Sequence, residues 1–588
     1  MKRREQSQTE QLRQALSERE AQLHEAQARL AALEGSTSFQ VGRTLTAAAK
    51  RPGRGLMTLP RDLFRLWRGS QGSRSSGNRS KPGPVRSYEA QRQEARLLTG
   101  TPGADDGRIV VAGILSPEAR AALDPYVRVV PLRSHDTQVV FESVDVDALV
   151  ITASASAPGS SWSHVGDPAA ADRTRALHWT VEAARSRGVP SVLIADAPAP
   201  PALAALDVDL HYHGDVGVPL HRFNPVAAEP ERDPEPVHVP TAGSPHPATR
   251  RLLASLEEHG TRPASPRWEE LPATLRAVSA VATDTPGLAR RATACGARAL
   301  LLGRDDGDGD TSAAPRPPEA LRTLRPGAGG PHSHPVGEEL ARLRAQGPLT
   351  SEELRSTLRH LFLTEATPVR LAELFRQVQL APGAGNPDLP LHDRRVALLA
   401  LPGDDITSLS LAEDILAQQY PPAEVVVPQE SAPFTGVERL RSHGIPVRTA
   451  PVSVPSAAPG PDVWAALARA AESPWAALWR EPQGPAFLVD ALCAAECSGA
   501  DAVGPAIDSW RQGDAPHADA VDQAAADQEY VFVSAIRPAL ARCELVRRGL
   551  QPGVWNRHGA RLLALSPPHG TEPEESPDHA RTAPKGNT

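Results

Sequence analysis

Four sets of side chains in this sequence are placed where a reacting or charge-bearing group would be. Thr285-Pro286-Gly287 reads as the start of a helix, whose first N–H groups have no intrahelical partner and can receive a phosphate. Arg290 and Arg291 follow within the first turns and would add positive charge. Arg480 comes directly after the apolar run Trp475 to Trp479 and can neutralise a diphosphate through bidentate contacts. His164 lies in a loop, where an imidazole can act as a general base. Glu430 follows the expected strand Glu424 to Val427, at the kind of strand end where nucleotide sites commonly hold their acids. Three of the four have a plainer alternative. Thr-Pro is an ordinary helix opening, Arg480 with Glu481 fits a solvated loop pair, and a lone loop histidine is more often structural than catalytic.

The elements that must position these groups are legible as alternating periods. The stretch "RRVALLALPGDDITSLSLAEDILAQQYPPAEVVVPQES", Arg394 to Ser431, reads as strand, helix and strand. From Arg108 onward "RIVVAGIL", "VDALVITAS", "VPSVLIAD" and "VDLHYH" read as strands, with "DRTRALHWTVEAARSRG" as a helix closed by Gly188. The alternation continues with "AVSAVATD", "TPGLARRATACG" and "ARALLLG", then helices near 335–345 and 351–380. Gly303 to Pro331 reads as a mobile loop. Short apolar strands alternating with helices predict parallel, Rossmann-type sheets. The predicted map is a coiled coil over 1–35, a basic segment over 36–69, a linker over 70–107, α/β units over 108–240, 241–380 and 392–565, and a disordered tail over 566–588.

Leu12, Leu16, Leu23, Leu30 and Leu33 recur at heptad spacing and predict a parallel homodimer through 5–34; a single solvated helix fits as well. Between Arg43 and Arg86 eleven basic residues face one acid, a balance of +10, so the rest of a chain of net charge −7 carries −17. A basic segment on acidic domains points to a local anionic partner and away from general nucleic-acid binding. Leu63, Phe64, Leu66 and Trp67 alternate with arginines there, a pattern that suits an anionic membrane surface; packing on the next domain is the alternative. The N-terminus has no signal-peptide core and no apolar run approaches the ~20 residues of a membrane span, so a cytoplasmic protein is expected, peripheral at the inner membrane face. The four cysteines are too few and too scattered for a disulfide framework. Cys493 and Cys497, one helical turn apart, read as buried small residues before half a metal site. P-loop, GxSxG, HExxH and zinc-finger spacings are absent, and "DDGDGD" (Asp305 to Asp310) lacks the glutamate a calcium loop needs at position twelve.

Several stretches resemble sugar-transfer enzymes. "STSFQVGRTL", from Ser36, resembles the lead-in of bacterial cell-envelope glycosyltransferases. "SWSHVGD", "RALHWTVEAARSRGVPSVLIAD", "PLHRFNPVAAEP" and "LARRATACGARALLL" make 108–380 similar to the CgeB/spore-maturation type, with two Rossmann-like halves of the GT-B kind. "ALLALPGDD…LAEDILAQQYPPAEVVV", "SGADAVGPA" and "EYVFVSAIRPALARCELVRRGL" make 394–565 similar to glycosyltransferase family 2, the GT-A kind. The resemblance implies transfer of a sugar from a nucleotide sugar to a glycan or lipid-linked acceptor. It places Asp404 and Asp405 at the nucleotide and the metal motif, for Mg or Mn, at Glu481. It also puts Arg291 where the family has a ribose-binding glutamate, in a turn that Gly296 still closes. The post-strand acids are replaced by Pro428 and Gln429. That loss leaves two classes open: an enzyme, or a non-catalytic scaffold that binds or positions active transferases.

Overall fold

The computed structural model describes residues 107–226, 228, 231–240, 247–302, 320–324, 335–380, 386–453, 459–480, 482–506 and 530–565, all within the compact unit Ala90–Thr588. The calls on 5–34, 36–69, 305–310 and 566–588 lie outside the described residues, as does Glu481.

The described chain is α/β, built on three sheets with Rossmann-like parallel pairing. In the first, β1 (Val110–Ile114), β2 (Arg128–Pro131), β3 (Ala148–Thr152), β4 (Ser191–Ile194) and β5 (Leu210–Tyr212) run parallel in the order β2-β1-β3-β4-β5. In the second, β6 (Val237–His238), β7 (Arg262–Pro263), β8 (Ala280–Thr283), β9 (Arg298–Leu302) and β10 (Leu321–Leu324) are also parallel, in the order β10-β9-β8-β6-β7. The third takes β11 (Val396–Ala400), β12 (Glu424–Pro428), β13 (Val447–Ala450), β14 (Trp475–Trp479), β15 (Ala502–Gly504), β16 (Tyr530–Val533), β17 (Leu540–Arg542) and β18 (Leu562–Leu565) in the order β13-β12-β11-β14-β17-β15-β18-β16. Its first four strands are parallel; β17 enters antiparallel to both β14 and β15. The central strands β3, β11 and β14 are buried at every residue, as continuous apolar runs covered on both faces must be.

The three units are packed together. Helix Thr367–Gln377 returns to the first sheet, where Leu371, Leu374 and Phe375 join Ile109, Val111 and Leu123 in one core. One hydrophobic cluster runs unbroken from the second sheet into the third through Leu358, Leu361 and Phe362 against Leu492 and Cys493. At the same seam Arg359 grips Asp490 through two hydrogen bonds of 2.9 and 2.8 Å. A deeper clamp joins the first and third units: Arg394 donates to both oxygens of Glu496 at 2.7 and 2.9 Å, and Tyr126 donates its hydroxyl to Glu496 at 2.8 Å. The Arg394 guanidinium also stacks on the Phe362 ring, 3.8 Å from its centroid.

Two expectations are corrected. The helix expected over 351–380 breaks into Ser351–His360, a π-turn at Leu361–Glu365, and Thr367–Gln377. Pro368 cannot continue a helix from the preceding turn, and the chain swings out at Ala366, which bridges to Val218. Within the stretch read as a loop, Leu321–Leu324 forms the edge strand β10 beside β9; four residues between Gly- and Pro-rich flanks are too short for the alternation to register.

Candidate functional site

Arg290 and Arg291 sit on helix Pro286–Ala294 at the junction of the first two sheets, and both are engaged by the chain's own carboxylates. Arg290 lies 3.1 Å from Asp215 and 3.5 Å from Glu365; Arg291 pairs with Glu118 and packs over the Phe223 ring. Glu365 is shared with Arg370 at 2.6 Å. Asp215 follows β5 at its carboxyl end, in a tight turn where its Oδ1 accepts the Gly217 amide at 2.9 Å. Gly217 adopts a φ of +83°, and a Cβ there would meet the Glu365 carbonyl at 2.7 Å, so only glycine lets the two interdomain segments cross. Burial pushes the Asp215 carboxyl up, but Arg290, Arg291 and the Gly217 amide outweigh it, and it sits below the usual carboxylate value.

The helix start expected to receive a phosphate already faces an anion. A Cβ on Gly287 would fall 2.1 Å from Asp215 Oδ2, so the carboxylate rests directly on the first turn, where the helix dipole and free N–H groups favour negative charge. The Nε–H groups of Arg290 and Arg291 are nevertheless buried without an acceptor.

At the carboxyl ends of the third sheet, the expected nucleotide contacts do structural work. Asp404 caps helix Asp405–Leu416 in a reciprocal box with Thr407, which holds its carboxyl below the usual value. Asp405 receives the Thr435 amide and hydroxyl (2.9 Å for the latter), pinning the start of helix Thr435–Ser442. Those two helices touch so closely that a Cβ on Gly436 would fall 1.9 Å from the Ser408 carbonyl. Glu430 is exposed in a turn after β12. Arg480 lies 5.6 Å over the Trp464 ring and reaches the Pro538 carbonyl at 3.5 Å. Among the described residues no group of three or more His, Cys, Asp or Glu is arranged to hold a metal ion. The resemblance places its Mg or Mn at Glu481, outside the described residues, while Asp404 and Asp405 are engaged at helix starts.

The remaining expectations are not brought into one site. His164 is exposed in the loop after β3, in a left-handed conformation (φ 63°) that histidine tolerates better than most residues. Gly296, also left-handed, closes the far end of the Arg290 helix, roughly 13 Å from its start. A Cβ there would meet the Arg232 guanidinium at 2.7 Å, and Arg232 donates to the Cys295 carbonyl. Cys493 and Cys497 are free and buried, their sulfurs 4.0 Å apart.

Sequence reasoning missed Glu118, Asp215 and Glu365, the residues that close the junction. Asp215 carried one usable signal: it lies between Gly214 and Gly217 immediately after a strand. No protein-family model matches the chain, and no curated protein matches it. No helix among the described residues is long and apolar enough to cross a membrane.

Three carboxylates held by cations and hydrogen bonds fix an acid dependence. Asp215, Glu353 and Glu424 all have folded pKa values below their ordinary ones. In Glu353 the hydrogen bond from Arg298 leads. In Glu424 burial opposes the shift, and the Ser473 hydroxyl with the 472 and 473 amides outweighs it. A depressed carboxyl stabilises the fold above its unfolded pKa and loses that contribution as pH falls through the folded value. The denaturant midpoint is therefore expected to hold from pH 7 to about 5 and to drop below about 4, as urea titrations across that range would record.

Proposed function

We propose that this chain is a non-catalytic, glycosyltransferase-like scaffold that binds or positions active transferases of cell-envelope polysaccharide synthesis. The resemblance of 108–380 and 394–565 to transferase halves supplies the class. One observation carries the non-catalytic part: the Asp215 carboxylate rests on Gly287 and pairs with Arg290, on the helix start that would receive a donor diphosphate. A second carboxylate, Glu118, takes Arg291. Like charges exclude one another at such distances, at a cost of about 4 kcal/mol at 4 Å and an effective dielectric of 20. The basic segment 36–69 would hold the scaffold at an anionic membrane, near lipid-linked acceptors, and 5–34 would dimerise it.

The buried, acceptor-less Nε–H groups of Arg290 and Arg291 favour the other reading, an active transferase whose donor phosphates complete them. Calorimetric titration of the full chain with UDP, GDP and TDP-, UDP- and GDP-sugars, with and without manganese, separates the two. The scaffold predicts no saturable heat that Arg290→Gln abolishes. Metal-independent binding that Arg290→Gln abolishes overturns it in favour of a transferase acting through Arg290 and Arg291. Binding that needs manganese overturns it in favour of the third sheet, around Glu481.

A further inference from the structure

The opposite edge of the third sheet carries a cavity of about 610 Å³ that none of the residues expected to bind nucleotide sugar lines. It opens where β11, β14, β15 and β18 begin and β17 ends, one sheet width of about 13 Å from the strand ends that hold Asp404 and Arg480. Its volume lies within the range of small-molecule sites.

Two half-buried guanidiniums line it without a carboxylate partner among the described residues. Arg542 stands directly across the β14–β17 pair from Trp475 and stacks on that ring, 4.1 Å from its centroid. Stacking fixes the plane of the guanidinium while leaving its N–H edge for a ligand. Arg547 is oriented by the carbonyls of Ala468 and Ala471, at 3.0 and 2.7 Å. Of the carboxylates that line the cavity, Glu472 is paired with Arg448 and Glu544 with Arg548, and Asp501 accepts the Arg561 amide. His392 and His558 stand exposed at the rim. Cys543 in the wall is buried, its thiol pushed up to about 11, and is no nucleophile.

We propose that this cavity is a binding site for the oxyanion of a small molecule, a phosphate monoester or a carboxylate, held by Arg542 and Arg547. The planar fork of arginine matches either group. The site is independent of the donor region and of whether the chain is catalytic.

The test is calorimetric titration of the full chain with inorganic phosphate, a hexose phosphate and a hexuronate at low salt, repeated in Arg542→Gln, Arg542→Lys and Asp404→Asn. We expect saturable binding of at least one probe, weakened about 10- to 100-fold in Arg542→Gln, the loss expected for a charged hydrogen-bond partner. Arg542→Lys, which keeps the charge and removes the fork, should also bind more weakly, and it serves if Arg542→Gln does not fold. Asp404→Asn, at the far edge, should bind as wild type. Preference for the hexose phosphate or the hexuronate identifies which oxyanion the site takes. Absence of binding to all three probes overturns the proposal, as does undiminished binding in the folded Arg542 variants. A nucleotide-sugar titration that contradicts the scaffold reading leaves this result standing.

Discussion

Replacing Glu496 with alanine is expected to destabilise the protein by about 3–5 kcal/mol, the cost of breaking a buried ion pair by removing one partner. Arg394 has a side chain only 5% exposed, and Glu496 is 13% exposed. In the variant the Arg394 guanidinium keeps the Phe362 carbonyl, at 2.6 Å, and its seat on the Phe362 ring, but loses both carboxylate oxygens. The Tyr126 hydroxyl loses its acceptor in the same step. Burial, the largest cause of that phenol's raised pKa, persists in the variant, so ionisation offers it no relief. Because Tyr126 belongs to the first unit and Glu496 to the third, damage should spread across the interface. Amide hydrogen exchange should rise both in Pro117–Leu123 and in Phe487–Ser498. Converting the pair to Arg394→Met with Glu496→Leu removes both charges and should be less damaging than Glu496→Ala alone. A single Glu496→Ala variant that melts with wild type would show that the clamp contributes nothing.

The parts of this fold legible in the sequence are those whose signal is local. The strands β1, β3, β4, β8, β9, β11 and β12 are short, mostly apolar runs, and helix Ala171–Arg187 ends at a left-handed Gly188 where its pattern stops. Two-residue strands such as β6 and β7 carry no period, and β10 is hidden by its Gly- and Pro-rich flanks. The candidate site was legible in one half only. Arg290 and Arg291 announce positive charge at a helix start. Their partners Glu118, Asp215 and Glu365 come from three other segments, all 75 or more residues away: Asp215 and Glu365 each lie 75 residues from Arg290, and Glu118 precedes Arg291 by 173. Nothing in one sequence pairs charges over such separations. The same holds for Asp404 and Asp405, whose capping role depends on a hydroxyl three residues on and on Thr435 thirty residues on.

The carboxylate on the helix start makes a second large effect testable. Asp215→Asn keeps the side-chain volume and an oxygen to accept the Gly217 amide, but removes the charge. Arg290 is then left with Glu365 alone, at 3.5 Å, and the first turn of its helix faces no anion. A phosphate approaching within about 8 Å no longer meets a repulsion of about 2 kcal/mol at an effective dielectric of 20. UDP should therefore bind saturably without manganese, a gain of about 30-fold or more that brings into calorimetric range a junction whose wild-type form gives no saturable heat. Gly287→Ala should act in the same direction, because its methyl would displace the Asp215 carboxylate, the movable end of a side chain, from the helix start. If both variants fold and neither binds UDP, the Asp215 charge is not what keeps nucleotides out of the junction. If they bind, the site retains the phosphate chemistry of a transferase, and one carboxylate is what holds it closed.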